Sequence, residues 1–317
     1  MIRLSGALLL LFSFAQPQFV PDSPHQCGDC EEWNKPREPF RVYGNTYYVG
    51  TDGLSALLVT GDAGHVLLDA GLSQSAALID ANIRKLGFKT EDVKMIAVSH
   101  GHFDHAGGVR ALQRFTGATV VGSGSTAQAL NRGENTPDDP QFAFGKPFNS
   151  FPAVKAVRVV KDQEKLTVGK LLIVAQMIPG HAPGSTAYTW RSCESGESGA
   201  SGASGASGAS GASGASRCLN MVYADSLTSG SAPGFKYGKR LESFRRSIEK
   251  VAALPCDIVV SPHPAFTQID AKLKRRAEMK GQGRDPFVDP DGCRAYAADG
   301  MKRLEARVIE EAKSGPR

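Results

Sequence analysis

No stretch of this chain is apolar for the ~20 residues that a membrane-spanning helix requires, and its N-terminal run at residues 4–14, with LLLLF at the heart, falls well short. An integral helical membrane protein is therefore excluded as an expectation. Charge of one sign is also scarce: 37 Lys and Arg face 32 Asp and Glu, a net +5 over 317 residues. No stripe of basic residues with interleaved aromatics is visible, so no nucleic-acid partner is expected. The one basic cluster, Lys272, Lys274, Arg275 and Arg276, reads as a solvated helix face,. The cysteines form no Cys/His group of zinc-finger spacing, so a closed structural zinc module has no support.

What is present begins at the N-terminus. Arg3 gives a positive start, an apolar stretch follows, and Ser13-Phe14-Ala15 places small residues where a signal peptidase cuts. Residues 1–15 thus read as a secretory signal peptide. The expected mature protein is periplasmic or secreted, soluble, without a stable membrane anchor, and a monomer. The six cysteines, Cys27, Cys30, Cys193, Cys218, Cys256 and Cys293, suit an exported chain, because disulfides persist outside the reducing cytosol,. Cys27-Gly28-Asp29-Cys30 has redox-motif spacing but stands in a Pro-rich segment rather than at the end of a strand. That reading is set aside, and whether the two bond to each other or leave a free thiol stays open.

Residues 16–39 are rich in Pro and polar side chains and read as an extended or loosely ordered segment,. Alternation and short apolar runs predict strands at 41–49 (split at Gly44-Asn45), 56–60, 65–69, 93–98, 118–122, 157–160, 170–178, 187–191, 219–224 and 258–261. Helical spacing predicts helices at 73–86, 106–115, 241–254 and 293–312, and residues 131–152 read as a loop rich in Asn, Asp and Pro. This order suits one α/β layered domain over residues 40–317, built from two similar halves. Residues 198–216 repeat Ser-Gly-Ala with no apolar face, so a flexible loop is expected there,. Cys193 and Cys218 end the strand-like runs on either side, which predicts a hairpin with a lengthened tip and a disulfide across its neck.

The strongest signal is Ser99-His100-Gly101-His102-Phe103-Asp104-His105-Ala106-Gly107-Gly108. Three histidines and a carboxylate fall directly after a buried strand and before a helix, and imidazole and carboxylate are ligands that zinc accepts. His100 and His102 alternate with Gly101 and can point to one side. Asp104 and His105 continue around the turn and can serve another ion. Two more histidines, His181 in Pro179-Gly180-His181-Ala182-Pro183-Gly184 and His263 in Ser261-Pro262-His263-Pro264, follow strands in the same manner. His25 and His65 lie outside this pattern and receive no role.

This HxHxDH motif with two isolated downstream histidines resembles the metallo-β-lactamase superfamily. The segments LLVTGDAGHVLLDAGL, VSHGHFDHAGG, IPGHAPGST, VYADSLTS and LPCDIVVSPHP are similar, in that order, to its B3 subclass. The resemblance implies a four-layer αββα sandwich with two zinc ions at one edge. It implies that His100, His102 and His181 hold the first ion and Asp104, His105 and His263 the second, and that Cys256 and Cys293 form a disulfide. Ser226 stands where the other dinuclear subclass has a cysteine ligand, and His105 is available instead. The implied activity is hydrolysis of the β-lactam amide of penicillins, cephalosporins and carbapenems by a hydroxide between the ions, conferring antibiotic resistance. Asp104 would orient that nucleophile, while Ser226, Thr228 and His181 would face the small-molecule substrate. Some B3 enzymes carry a Tyr near the oxyanion at the position aligned with Phe235, where this chain offers no hydroxyl. Asp69 is open between orienting a ligand histidine and shaping a turn. Asp225 matches a metal-bridging aspartate of glyoxalase II and of lactonases in this superfamily, and its direction is left open by the sequence. A bridging Asp225 would favour a homoserine-lactone or thioester hydrolase.

Overall fold

Alternation within the strands decides the layering. In Leu57-Leu58-Val59 and Val66-Leu67-Leu68 the outer members of each triplet enter one apolar core and the middle member enters another. Met221-Val222-Tyr223 and Ile258-Val259-Val260 do the same on the other side of the shared core. Strands that are buried on both faces need cover on both, and the result is two sheets face to face with helices outside each, the αββα sandwich. The computed structural model describes residues 18–194 and 217–313. The expected signal peptide at 1–15 and the Ser-Gly-Ala repeat at 198–216 lie outside the described residues.

The first sheet contains seven strands in sequence order: β1 (Phe40–Tyr43), β2 (Thr46–Tyr48), β3 (Leu57–Val59), β4 (His65–Leu68), β5 (Val93–Ala97), β6 (Thr119–Gly122) and β7 (Arg158–Val159). Pairing is antiparallel from β1 to β4 and parallel from β4 to β7. The second sheet holds β8 (Lys165–Val168), β9 (Leu171–Met177), β10 (Thr186–Cys193), β11 (Cys218–Tyr223) and β12 (Ile258–Val260), antiparallel except for β11 beside β12. The first sheet's outer face is covered by apolar residues of α2 (Ser75–Lys85), α4 (Val109–Thr116) and α5 (Gly124–Arg132). The second is covered by α6 (Leu241–Ala253) and α8 (Gly292–Lys313), which bring Phe244, Ile248, Val251, Tyr296 and Leu304 onto Val222 and Val259.

Several expectations change. Residues 18–39 are largely extended but not loose. Phe19 packs edge-on against Phe115 at 5.3 Å, His25 stacks on Phe103 at 4.2 Å, and a one-turn helix, α1 (Cys30–Trp33), is closed by a Cys27–Cys30 disulfide. The helix read at 106–115 is two pieces, α3 (Phe103–Ala106) and α4, because the chain bends at Gly107-Gly108 to lie against the backbone of residues 70–73. The loop read at 131–152 begins only after α5, whose Ser123 cap accepts from the Thr126 N–H and whose C-terminal Gly133 takes φ 70°,. The basic cluster lies on α7 (Ile269–Met279). Arg276 there is only partly solvated: it pairs with Asp285 at 2.7 Å and donates to the carbonyls of Arg41 and Val42.

The hairpin forms as expected: Cys193 faces Cys218 in the β10–β11 register and the two are bonded, as are Cys256 and Cys293. Because that neck is closed by both a ladder and a covalent bond, the tip should be dispensable, and loop-closure entropy varies only slowly with length. Deleting residues 198–216 should leave the melting temperature at its parental value. A large fall would show that the repeat contributes.

The ends of β4, β5, β9, β11 and β12 converge on one edge, and the sheets are bonded together there. The Thr186 N–H donates to Ser99 O (2.9 Å), the Ser55 N–H to Pro262 O (2.7 Å), and the Tyr188 hydroxyl to Val98 O (3.0 Å). Every histidine of the motif pattern follows one of these strand ends.

Candidate metal centre

Asp69, just beyond β4, organises this edge. Its backbone sits at φ 58°, a left-handed conformation uncommon for a non-glycine residue,. Its carboxylate accepts from Ser99 N (2.7 Å), Ser99 Oγ (2.6 Å) and the Tyr223 hydroxyl (2.8 Å). Asp69 therefore clamps the end of β5 to β4 and to the opposite sheet, and lies 3.9 Å from His105 Nδ1. Burial raises it to about 6, against the opposing pull of His105 and Ser99.

His100, His102 and His181 meet with their donor atoms all within 4.8 Å of one another, and His100 forms a second such group with Asp104 and His105. The two groups share a corner, and all five side chains are buried. His263 joins the second group through Asp104: Asp104 Oδ2 lies 3.1 Å from His105 Nε2 and 3.2 Å from His263 Nε2. Donors bonded at about 2.0–2.1 Å to one tetrahedral zinc stand roughly 3.3 Å apart, so this spacing suits a metal. Orphaned atoms agree: among the described residues His100 Nε2 and His105 Nδ1 are buried and meet no hydrogen-bond partner, and His105 Nε2 faces the Asp104 carboxylate. In native proteins such groups are rare and need an explanation.

Each ring of the first group is held from behind. His100 Nδ1 is 2.7 Å from Asp225 Oδ1, His102 Nε2 is 3.0 Å from Asp139 Oδ2, and His181 Nδ1 is 2.9 Å from the Thr228 carbonyl. When one ring nitrogen donates its proton to such a partner, the other presents a lone pair. That leaves His100 Nε2, His102 Nδ1 and His181 Nε2 to face a metal. Burial lowers His100 to about 4, with Asp225 opposing. Burial, reinforced by the neighbouring His100 and His102 rings, lowers His181 to about 3, so both are neutral and ready to ligate at pH 7. At the second group burial opposes ionisation, yet the charges of His105 and His263 hold Asp104 well below the usual carboxylate range. His105 goes the other way: burial is outweighed by the charge of Asp104, and it rises to about 9.

Ser226 is buried and its hydroxyl has no partner among the described residues. Thr228, expected at the substrate, has its hydroxyl 3.0 Å from His181 Nδ1. Asp225, left open by the sequence, sits behind His100. Asp139 was not anticipated at all. His25, given no role, stacks on Phe103 inside the motif, and Trp33 packs edge-on against His263 at 5.4 Å. Phe235 packs on Tyr237 at 5.2 Å.

Two clusters of His and Asp donors sharing a corner, at the rim of an αββα sandwich, define a metallo-hydrolase. The family model described as the metallo-beta-lactamase superfamily matches residues 49–193. Among solved structures, the Rm3 metallo-beta-lactamase is 44% identical with a TM-score of 0.80, covering 91% of this chain and 100% of that one. MEM-A1, a subclass B3 metallo-beta-lactamase isolated from a soil metagenome library, is 39% identical with a TM-score of 0.79, covering 89% and 100%. A UPF0173 metal-dependent hydrolase of Staphylococcus aureus (strain JH9) is 35% identical over 101 residues, which is 29% of this chain and only 42% of that relative's length. The chain belongs to the metallo-β-lactamase superfamily, and it resembles the B3-type enzymes over nearly its whole described length.

Proposed function

We propose that the protein is an exported, zinc-dependent β-lactamase that opens the β-lactam amide of penicillins, cephalosporins and carbapenems. The observation that carries the reading is the shared-corner pair of three-donor clusters, with a serine at position 226 and His105 turned into the site. His100, His102 and His181 would hold the first zinc, and Asp104, His105 and His263 the second. When bound, the ions supply Lewis acidity and bring the pKa of water toward about 7, so no serine or cysteine nucleophile is needed. The chain's own part is positioning. Asp225, Asp139 and Thr228 fix the first three rings. Asp104, between His105 and His263, would also accept a hydrogen bond from the attacking water and aim it, which makes it the catalytic carboxylate. The Ser226 and Thr228 hydroxyls, with His181, would face a substrate carboxylate. Three protein donors per ion leave room for water and substrate, unlike a closed structural site.

A lactone or thioester hydrolase would be favoured by Asp225 between the ions. Its Oδ1 lies instead at His100 Nδ1, behind the ring that presents Nε2, and this contact supports the β-lactam reading, while its Oδ2 is buried with no hydrogen-bond partner among the described residues. The test is a chromogenic cephalosporin assay run beside a homoserine-lactone assay. Cephalosporin turnover should vanish after chelation and return with added zinc. Turnover of the lactone alone, or a rate indifferent to chelator, would overturn the proposal.

A further inference from the structure

We infer that Asp139 is the positioning residue that sets the orientation of His102, and that it thereby couples the 134–151 loop to the first metal cluster. The inference rests on the metal reading of the site but not on which bond is hydrolysed. His102 Nε2 lies 3.1 and 3.0 Å from the two Asp139 oxygens, and both side chains are almost fully buried. The carboxylate is itself fixed. Its Oδ1 accepts from Asn135 Nδ2 at 3.2 Å and from the Gln141 N–H at 2.8 Å. Neither neighbour belongs to a metal cluster, so this small network is built around the imidazole that it faces. With Nε2 engaged, the His102 ring turns its other nitrogen toward His100 and His181, whose ring centroids are 4.4 and 4.9 Å away.

The consequence runs in both directions. The loop is closed at its base by the Glu134–Ser150 bridge and by Phe151 N–H to Gly133 O, and inside by Asn149 Nδ2 donating to the carbonyls of Gln141 and Phe142. Its rim exposes Phe142 and Phe144. Asp139 joins that frame to a ligand histidine. Metal that orders His102 must therefore order the loop, and a loop that withdraws Asp139 must weaken the metal, by reciprocity of linked equilibria. Losing the partner behind a ligand histidine typically lowers metal affinity by roughly 10- to 100-fold.

The experiment compares the full-length wild type with Asp139→Ala and Asp139→Asn, using zinc itself as the probe. Zinc affinities come from competition with a chromophoric chelator, while long-range ¹H–¹⁵N spectra of His102 and His181 report which site fills and which nitrogen carries the proton. Amide exchange over 134–151 is measured with and without zinc. Asp139→Ala should bind the first zinc roughly 10- to 100-fold more weakly, give a mixed His102 tautomer, and lose the zinc-dependent slowing of exchange in the loop. Asp139→Asn keeps an acceptor oxygen, so it should retain the tautomer and lose less affinity, a rescue that a purely structural role does not foresee. Wild-type affinity together with wild-type loop slowing in Asp139→Ala overturns the inference. Should the alanine variant fail to fold, unchanged affinity and unchanged loop slowing in Asp139→Asn do so. A wild type that binds two zinc ions as expected but leaves β-lactams intact would sink the proposed activity and leave this coupling standing.

Discussion

Replacing His181 by alanine should yield a folded protein with one zinc in place of two, and His263→Ala should do the same at the other cluster. Folding should survive because backbone bonds shape both turns. Around His181, the Gly180 N–H donates to Ala182 O and the Ile178 N–H to Ser185 O; around His263, Ser261 Oγ and the Phe266 N–H both donate to the His263 carbonyl. The alanine at 181 leaves Thr228 without its imidazole partner, a loss of about 1–3 kcal/mol, which a chain of this size can absorb. Removing only the group behind a metal ligand lowers activity by roughly 10- to 100-fold, so removing the ligand itself should exceed about 100-fold in kcat/KM. The double variant should be little worse than either single one, because groups that act as a unit are strongly non-additive. Elemental analysis after gel filtration, read beside the cephalosporin rate, checks this. Two zinc ions retained at full rate in His181→Ala would refute the arrangement of donors.

The first half of the site was legible because its chemistry is local: His100 to His105 follow one strand, and six neighbouring positions suffice to betray a metal. His181 and His263 were legible only by analogy of place, each just beyond a strand. Asp139 was not, because an aspartate in a loop rich in Asn, Asp and Pro has the appearance of a turn residue, and nothing in its neighbours points 37 positions back to His102. Thr228 was legible only in part. Its hydroxyl was visible in the sequence, but the carbonyl beside it, which every residue possesses, also reaches His181. In the fold, the order of strand and helix patterns announced one α/β layered domain, and the four-layer sandwich was implied only by the family resemblance. The misread parts are those where tertiary contact overrides pattern: β8, whose four residues are too few for a period to stand out, α5, whose apolar face is mostly alanine, and the break between α3 and α4.

That break supports the last prediction. Gly108→Ala should destabilise the protein by about 3 kcal/mol or more, as overpacking against rigid atoms does, with a fall in Tm of at least roughly 5 °C. A Cβ at Gly108 would lie 2.3 Å from the Ala70 carbonyl oxygen and 3.2 Å from Leu72 O, backbone that cannot swing aside as a side chain would. Gly107 is as tight, with a Cβ 2.6 Å from Ser73 N and from Phe103 O. The obstructed segment is also the one that orders the site, since the Ala70 N–H donates to His105 O at 3.0 Å and Asp69 precedes it. Displacing Ala70 should therefore move His105 and the Asp69 clamp, so zinc affinity at the second cluster should fall along with Tm. Gly28→Ala is the control: a Cβ there meets no atom of the described residues within 4 Å, and its melting temperature should match the parent. Thermal melts of both variants, with and without zinc, separate the effects. If Gly108→Ala melted with the wild type and kept its second zinc, the close approach of the two backbones could not be what holds Asp104 and His105 in place.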